Sequence, residues 1–340
     1  MRILVVTSNL YPEIGGPFNV ITSTVRQLQK KKINISIYPF FDGKKKSTSK
    51  IYSLIKRYDI IHFYGGWDKN HILISLICFI LKKKYIISPM GIFEDWSLNQ
   101  KKFKKMLALK VYQKKILNLC NAIHATSELE KKNIQKLTKN KDIVTIPHGI
   151  EELESKFIKD KFFINKKKRA LFFSRIHKKK GVYELLEVWK KLGLSDWELH
   201  IYGPDFDKLF DNLPSNLKKI DSVFYKGPIY NEQRKKEIFK YSDVMILPTK
   251  SENFGYVILE SLRSGLPVIT TNKTPWEIIQ TTKSGWIIND KINDLENILK
   301  ELNTISKEEF LKKSQNSLEL SKNFFWDKII DKYIYLYSNL

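Results

Sequence analysis

The chain has 340 residues, 42% of them hydrophobic, and a net charge of +24. That length exceeds one ordinary domain and suits two, each with its own core. Two cysteines exclude a disulfide framework and fit a reducing compartment. The longest apolar run, 72–81, is too short to span a bilayer, and the start, MRILVVTS, reads as a strand rather than a signal peptide.

In the first half, residues 2–7, 33–39, 59–64, 85–88, 122–126 and 143–146 read as strands. Segments 18–29, 72–81 and 103–119 carry helical apolar spacing. Segment 151–168 is dominated by charge and reads as a linker. Alternation then restarts, with strands at 170–174, 198–202, 223–225, 244–247, 268–270 and 286–288, before a mostly helical 307–340. Strands alternating with helices throughout predict parallel sheets covered by helices, an α/β chain of two doubly wound domains.

The loop after the first strand, SNLYPEIGGP, places Gly15 and Gly16 where a backbone approaches a diphosphate closely, with Pro17 suited to a first helical position. It is not the G-x-G-x-x-G fingerprint, which argues against a nicotinamide cofactor. In QKKFKKMLALKVYQKKILNL (100–119), Phe103, Leu107, Val111 and Leu117 fall near one helical stripe, while Lys101, Lys104, Lys105 and Lys115 spread over the rest. Such a helix suits either an anionic lipid interface or a sheet with its lysines solvated. The basic charge as a whole reads either as a surface for anions or as a compositional bias. No zinc-finger, RNP or helix-turn-helix signature accompanies it, so nucleic acid is disfavoured.

In the second half, FFSRIHKKKG puts Arg175 and Lys180 on the loop after a strand, a guanidinium and an ammonium able to neutralise a diphosphate. Asp205-Phe206-Asp207 mimics a metal-binding DxD pair but reads as two loop acids. The stretch SDVMILPTKSENFGYVILESLRSGLPVITT (242–271) is a strand–loop–helix–strand unit. Its helix carries Phe254, Ile258 and Leu262 on one stripe and ends at Gly265 and Pro267. Glu252 lies in the loop and Glu260 in the helix, off that stripe, so it need not point into the core. The backbone N–H groups of Asn253, Phe254, Gly255 and Tyr256 suit a phosphate or a sugar hydroxyl.

Taken in order, Gly15-Gly16, SPMGIFEDWSLNQKKFKK, NAIHATSELE, IPHGI, Arg175 with Lys180, IYGPD, YKGPIY, Glu252 with Glu260 (E-x7-E), TPWEI and FFWDKIIDKYIYLY resemble the retaining glycosyltransferases of family 4 over nearly the whole chain. The resemblance implies a B-type fold of two facing Rossmann-like domains, residues 1–155 completed by 324–340 and residues 165–323, with the last helix crossing back to the first domain. It implies that Gly16 meets the donor diphosphate and that Arg175 and Lys180 stabilise the leaving group. Glu252 would contact the donor sugar with the amides of 253–256, Glu260 the ribose, and the loop 227–229, including Ile229, the base. It further implies a UDP- or GDP-sugar donor, a lipid-linked or saccharide acceptor in cell-envelope polysaccharide synthesis, and neither metal nor cofactor. The location expected is cytoplasmic, on the inner membrane face if the basic helix docks there. Many relatives carry a His where this chain has Met90 and Gly91. His62 and His124 are then either acceptor-positioning or structural, Glu94 and Trp96 are acceptor-side by resemblance, and no general base is assigned. The alternatives are a sugar-nucleotide epimerase of similar fold and a non-catalytic glycan- or membrane-binding protein.

Overall fold

The computed structural model describes residues 1–8, 10–11, 16–40, 48–153, 167–289 and 292–340. Gly15 and most of the linker segment lie outside the described residues. The chain forms two compact units, Met1–Gly149 with Trp326–Leu340, and Ile150–Phe325.

The first unit alternates β1 (Arg2–Thr7), α1 (Gly16–Lys30), β2 (Asn34–Pro39), α2 (Thr48–Lys56), β3 (Ile60–Tyr64), α3 (Lys69–Ile80) and β4 (Lys84–Ser88). It continues through α4 (Asp95–Asn99), α5 (Lys102–Ala108), α6 (Lys114–Leu119), β5 (Ala122–Ala125), α7 (Glu128–Gln135) and β6 (Ile143–Thr145). The sheet order is β2-β1-β3-β4-β5-β6, and every pairing is parallel. Apolar runs such as IIHFY in β3, buried at all five positions, are what a parallel sheet covered on both faces demands.

The expected helix at 103–119 is helical but not uniform. A π-turn, Leu109–Gln113, joins α5 to α6. Its wider turn resets the helical phase, so the expected stripe splits. Phe103, Leu107 and Val111 are 88%, 60% and 58% exposed, whereas Leu117 is fully buried with Leu109 and Ile116.

The second unit contains β7 (Lys168–Phe173), α8 (Val182–Leu192), β8 (Trp197–Tyr202), α9 (Ser215–Lys218), β9 (Val223–Tyr225), α10 (Glu232–Lys240), β10 (Val244–Leu247) and α11 (Tyr256–Arg263). β11 (Val268–Thr271), α12 (Ile278–Thr281), β12 (Gly285–Ile288), α13 (Ile292–Thr304) and α14 (Lys307–Ser321) complete it. Its parallel sheet runs β12-β11-β10-β7-β8-β9. The order reverses between β7 and β10, so the crevice at the carboxyl ends of those two strands is where a Rossmann-type sheet takes its ligand.

A last helix, α15 (Trp326–Ser338), belongs to the first unit. Ile329, Ile330, Tyr333, Leu336 and Tyr337 lie in one core with Ile3, Val5, Ile21 and Val25. No helix among the described residues is long and apolar enough to cross a membrane.

Candidate functional site

The switch point of the second unit gathers most of the predicted residues. After β7 the chain turns through Arg175, which is exposed, to a single 3-10 turn, Lys178–Lys180, and into α8 through Gly181. Gly181 has φ 73°, and a Cβ there would stand 2.0 Å from the Pro248 carbonyl oxygen at the end of β10. Only glycine lets the two loops close to this distance. The loops are then tied: Lys250 N and Thr249 Oγ1 both donate to Lys179 O, at 2.7 and 3.2 Å.

This closure brings Lys180 and Glu252 into an ion pair, each side chain only 12% exposed. Burial pulls the Lys180 ammonium below its usual range, and the Glu252 carboxylate opposes that shift. Glu260 is 6% exposed, removed from solvent rather than on a solvated helix face. Its Oε1 accepts from Lys235 Nζ of α10 at 2.6 Å. Both carboxylates of the E-x7-E pair are thus matched by a lysine whose side chain is 12% exposed, an arrangement that offsets desolvation of each charge.

The amide run 253–256 leads into α11 through Gly255, at φ 72°. Phe254 lies ahead of the helix rather than in it, buried, with its carbonyl accepting from Trp276 Nε1. Burial pushes the Tyr256 hydroxyl well above its ordinary range. On the other side of the switch point, Gly203 N donates to Gly227 O at 3.0 Å, which fixes the loop that carries Ile229. The two loop acids have local partners. Asp205 accepts from Leu209 N and Phe210 N, both at 2.8 Å, and Asp207 lies 3.8 Å from His177 Nε2.

In the first unit, Gly16 opens α1, with no atom within 4 Å of where a Cβ would stand. Glu94 is 6% exposed and Trp96 half-buried, on the loop and short helix after β4. That loop is fixed by Glu130, which accepts from Gly91 N at 2.7 Å and from Thr126 N and Oγ1 at 2.8 Å. Burial raises the Glu130 carboxyl against these donors. Glu130 was missed in the sequence, although the S-x-x-E spacing Ser127–Glu130 is a capping signature, and Ser127 Oγ does accept from Glu130 N at 3.1 Å. Lys235 gave no signal among so many lysines.

Of the two roles open to His62 and His124, the geometry favours the structural one. Both are 0% exposed and belong to one hydrogen-bonded chain. His124 Nε2 donates to Ile146 O at 2.8 Å, so a neutral ring presents Nδ1 as an acceptor to Ser88 Oγ at 2.6 Å. Ser88 Oγ then accepts from His62 Nε2 at 2.7 Å, and His62 Nδ1 accepts from Tyr337 Oη at 2.7 Å. Every nitrogen is engaged in tying α15 to β3, β4 and β5, which leaves no lone pair for an acceptor hydroxyl. Burial holds His62 well below its usual value and His124 down to about 4.

Comparison with known proteins agrees with this architecture. A curated relative, an uncharacterized 41.2 kDa protein in the cps region of Klebsiella pneumoniae, is 25% identical over 83% of this chain and 79% of its own length. The amylovoran biosynthesis glycosyltransferase AmsD of Erwinia amylovora is 26% identical over 51% of this chain, which spans half of AmsD. Among solved structures, the Anabaena protein HepE in complex with UDP-glucose superposes with a TM-score of 0.81 at 16% identity, covering both chains fully. WaaG, a glycosyltransferase involved in lipopolysaccharide biosynthesis, gives 0.73 at 14% identity, covering 97% of this chain and 98% of its own. These structures share the B-type glycosyltransferase fold. Residues 154–323, half of the chain, match the family model of the glycosyl transferases group 1, and the protein is a glycosyltransferase belonging to that family.

Proposed function

We propose that the protein transfers a hexosyl group, with retention of anomeric configuration, from a UDP- or GDP-sugar to a lipid-linked or saccharide acceptor in cell-envelope polysaccharide synthesis. The observation that carries the reading is the pairing of Lys180 with Glu252 at the switch point, with Arg175 on the same loop and Glu260 on the helix that follows. Arg175 and Lys180 supply positive charge where a diphosphate leaves. A bound diphosphate competes with Glu252 for Lys180, and the freed carboxylate then accepts from the donor sugar's hydroxyls. As the bond from the anomeric carbon to the phosphate oxygen breaks, the acceptor oxygen bonds to that carbon on the same face, and its proton passes to the leaving phosphate. No side-chain base is required, in keeping with the structural role of His62 and His124. HepE, crystallised with UDP and with UDP-glucose, supports a uridine donor, and the cps-region relative and AmsD support polysaccharide as the product. The intact carboxylate–lysine pairs favour transfer over epimerisation or mere binding. A thermal-shift panel of nucleotides and nucleotide sugars tests the reading, since a ligand of the folded state alone raises the apparent melting temperature. A panel in which neither UDP, GDP nor their sugars shift the transition overturns it.

We further propose that the first unit meets its acceptor at an anionic membrane face. Phe103, Met106, Leu107 and Val111 are each more than half exposed, amid Lys101, Lys102, Lys104 and Lys110. An apolar stripe turned outward and flanked by lysines matches an anionic bilayer face. Each lysine near such a surface contributes about 1 kcal/mol. Sedimentation with vesicles containing acidic lipid should pull the protein down at low salt, and neutral vesicles or high salt should release it. Protein that stays in the supernatant with acidic vesicles at low salt refutes the docking.

A further inference from the structure

We infer that Lys235 is a positioning residue for the donor nucleoside, holding Glu260 where its free oxygen meets the ribose hydroxyls. The inference rests on the donor reading above. Lys235 lies in the first turn of α10, which starts just beyond the loop 227–229 and is capped by Asn231, whose Oδ1 accepts from Arg234 N at 2.8 Å. The cap fixes the direction in which Lys235 leaves the helix. Its ammonium lies 5.5 Å from the centroid of the Phe173 ring at the end of β7 and 2.6 Å from Glu260 Oε1. The two side chains are 12% and 9% exposed. Glu232, the only other carboxylate paired with Lys235 among the described residues, stands at 4.0 Å and is itself 63% exposed.

Three elements therefore converge on one ammonium: β7 through Phe173, α10 through the backbone, and α11 through Glu260. Oε1 of Glu260 is taken by Lys235, while Oε2 has no hydrogen-bond partner among the described residues. A carboxylate with one oxygen anchored and the other open is a fixed acceptor for a vicinal diol, which presents two donors on one edge. Without the anchor, a flexible glutamate side chain gives up rotamer freedom each time it binds. Lys180 performs the corresponding service for Glu252, but Lys180 also faces the diphosphate. Lys235 has its one close carboxylate in Glu260, so its removal isolates the positioning effect.

The test is the affinity of the full chain for UDP and for GDP, each beside its 2′-deoxy counterpart, in wild type, Lys235→Met and Lys235→Arg. Hydrogen bonds to a charged acceptor predict that wild type prefers the ribonucleotide by roughly tenfold or more. In Lys235→Met the ribonucleotide should bind about tenfold more weakly and the preference shrink towards one, the non-additivity expected of coupled groups. Lys235→Arg should restore both. A purely structural lysine would lower the melting temperature and leave the ribo-to-deoxy ratio untouched, so an unchanged ratio in Lys235→Met overturns the inference alone. Should Lys235→Met fail to fold, Lys235→Gln reads the same ratio. Wild-type protein that binds neither UDP nor GDP overturns the donor reading and this inference together.

Discussion

Mild acid should destabilise the first unit. Three of its histidines, His62, His124 and His148, are at most 2% exposed. Burial holds His124 down to about 4, His148 to about 3 and His62 well below the ordinary 6.5. In the unfolded chain each titrates near 6.5. Between these limits the unfolded state binds more protons than the folded one, so stability falls as pH falls below 6.5 and levels off only below the folded values. Each histidine contributes a slope of about 1.4 kcal/mol per pH unit. Going from pH 7.5 to 5.5 therefore removes about 1.4 kcal/mol per histidine and about 4 kcal/mol for the three, a large part of an ordinary domain's stability. Glu130, raised by burial, works in the opposite sense, gaining a proton first in the folded state, and its contribution sets in nearer its own range above 4.5.

Calorimetry across this pH range should show the first unit's transition falling on the order of 10 °C. Hydrogen exchange should place the loss in β3, β4 and β5, whose side chains His62, Ser88 and His124 form the chain to Tyr337. Tyr337→Phe strands His62 Nδ1 and should cost about 1–3 kcal/mol at neutral pH, with the acid slope retained. A first-unit transition independent of pH between 7.5 and 5.5 refutes the buried, neutral assignment of these rings.

Further expectations concern turnover. Arg175→Ala and Lys180→Ala should each lower it by roughly 10²-fold, the scale for losing a preorganised charge, and near-wild-type rates in both would discard the leaving-group role. Glu260→Ala should mainly weaken nucleotide diphosphate binding and Glu252→Ala mainly turnover; the reverse pattern in calorimetric titration and kinetics would exchange their assignments. Activity should survive excess chelator, because Asp205 and Asp207 have local partners and the proposed mechanism meets the leaving charge with Arg175 and Lys180. Abolition by chelator with rescue by Mn²⁺ would count against metal-free transfer.

The two sheets were legible in the sequence because strands buried on both faces must be continuous apolar runs. IIHFY and VMIL announce themselves whatever surrounds them. The candidate site was readable as residue types on strand-end loops, Arg175, Lys180 and Glu252, with Glu260 on the helix that follows, because a parallel sheet presents its ligand side there.

The partners of these groups were decided by tertiary structure alone. Glu260 lies off its helix's apolar stripe and so reads as solvated, yet α10 covers it and supplies Lys235, one lysine in a chain crowded with them. His62 and His124 sit on different strands and meet only through Ser88, while Tyr337 arrives from the far end of the chain. The stripe on α5 continued to Leu117 by ideal helical count, and the π-turn at Leu109–Gln113 rotated that residue inward and left Phe103 outside. Local periodicity fixes which residues share a face. Which face is covered, and by which charge, depends on contacts between segments far apart in the chain, and no local pattern encodes those.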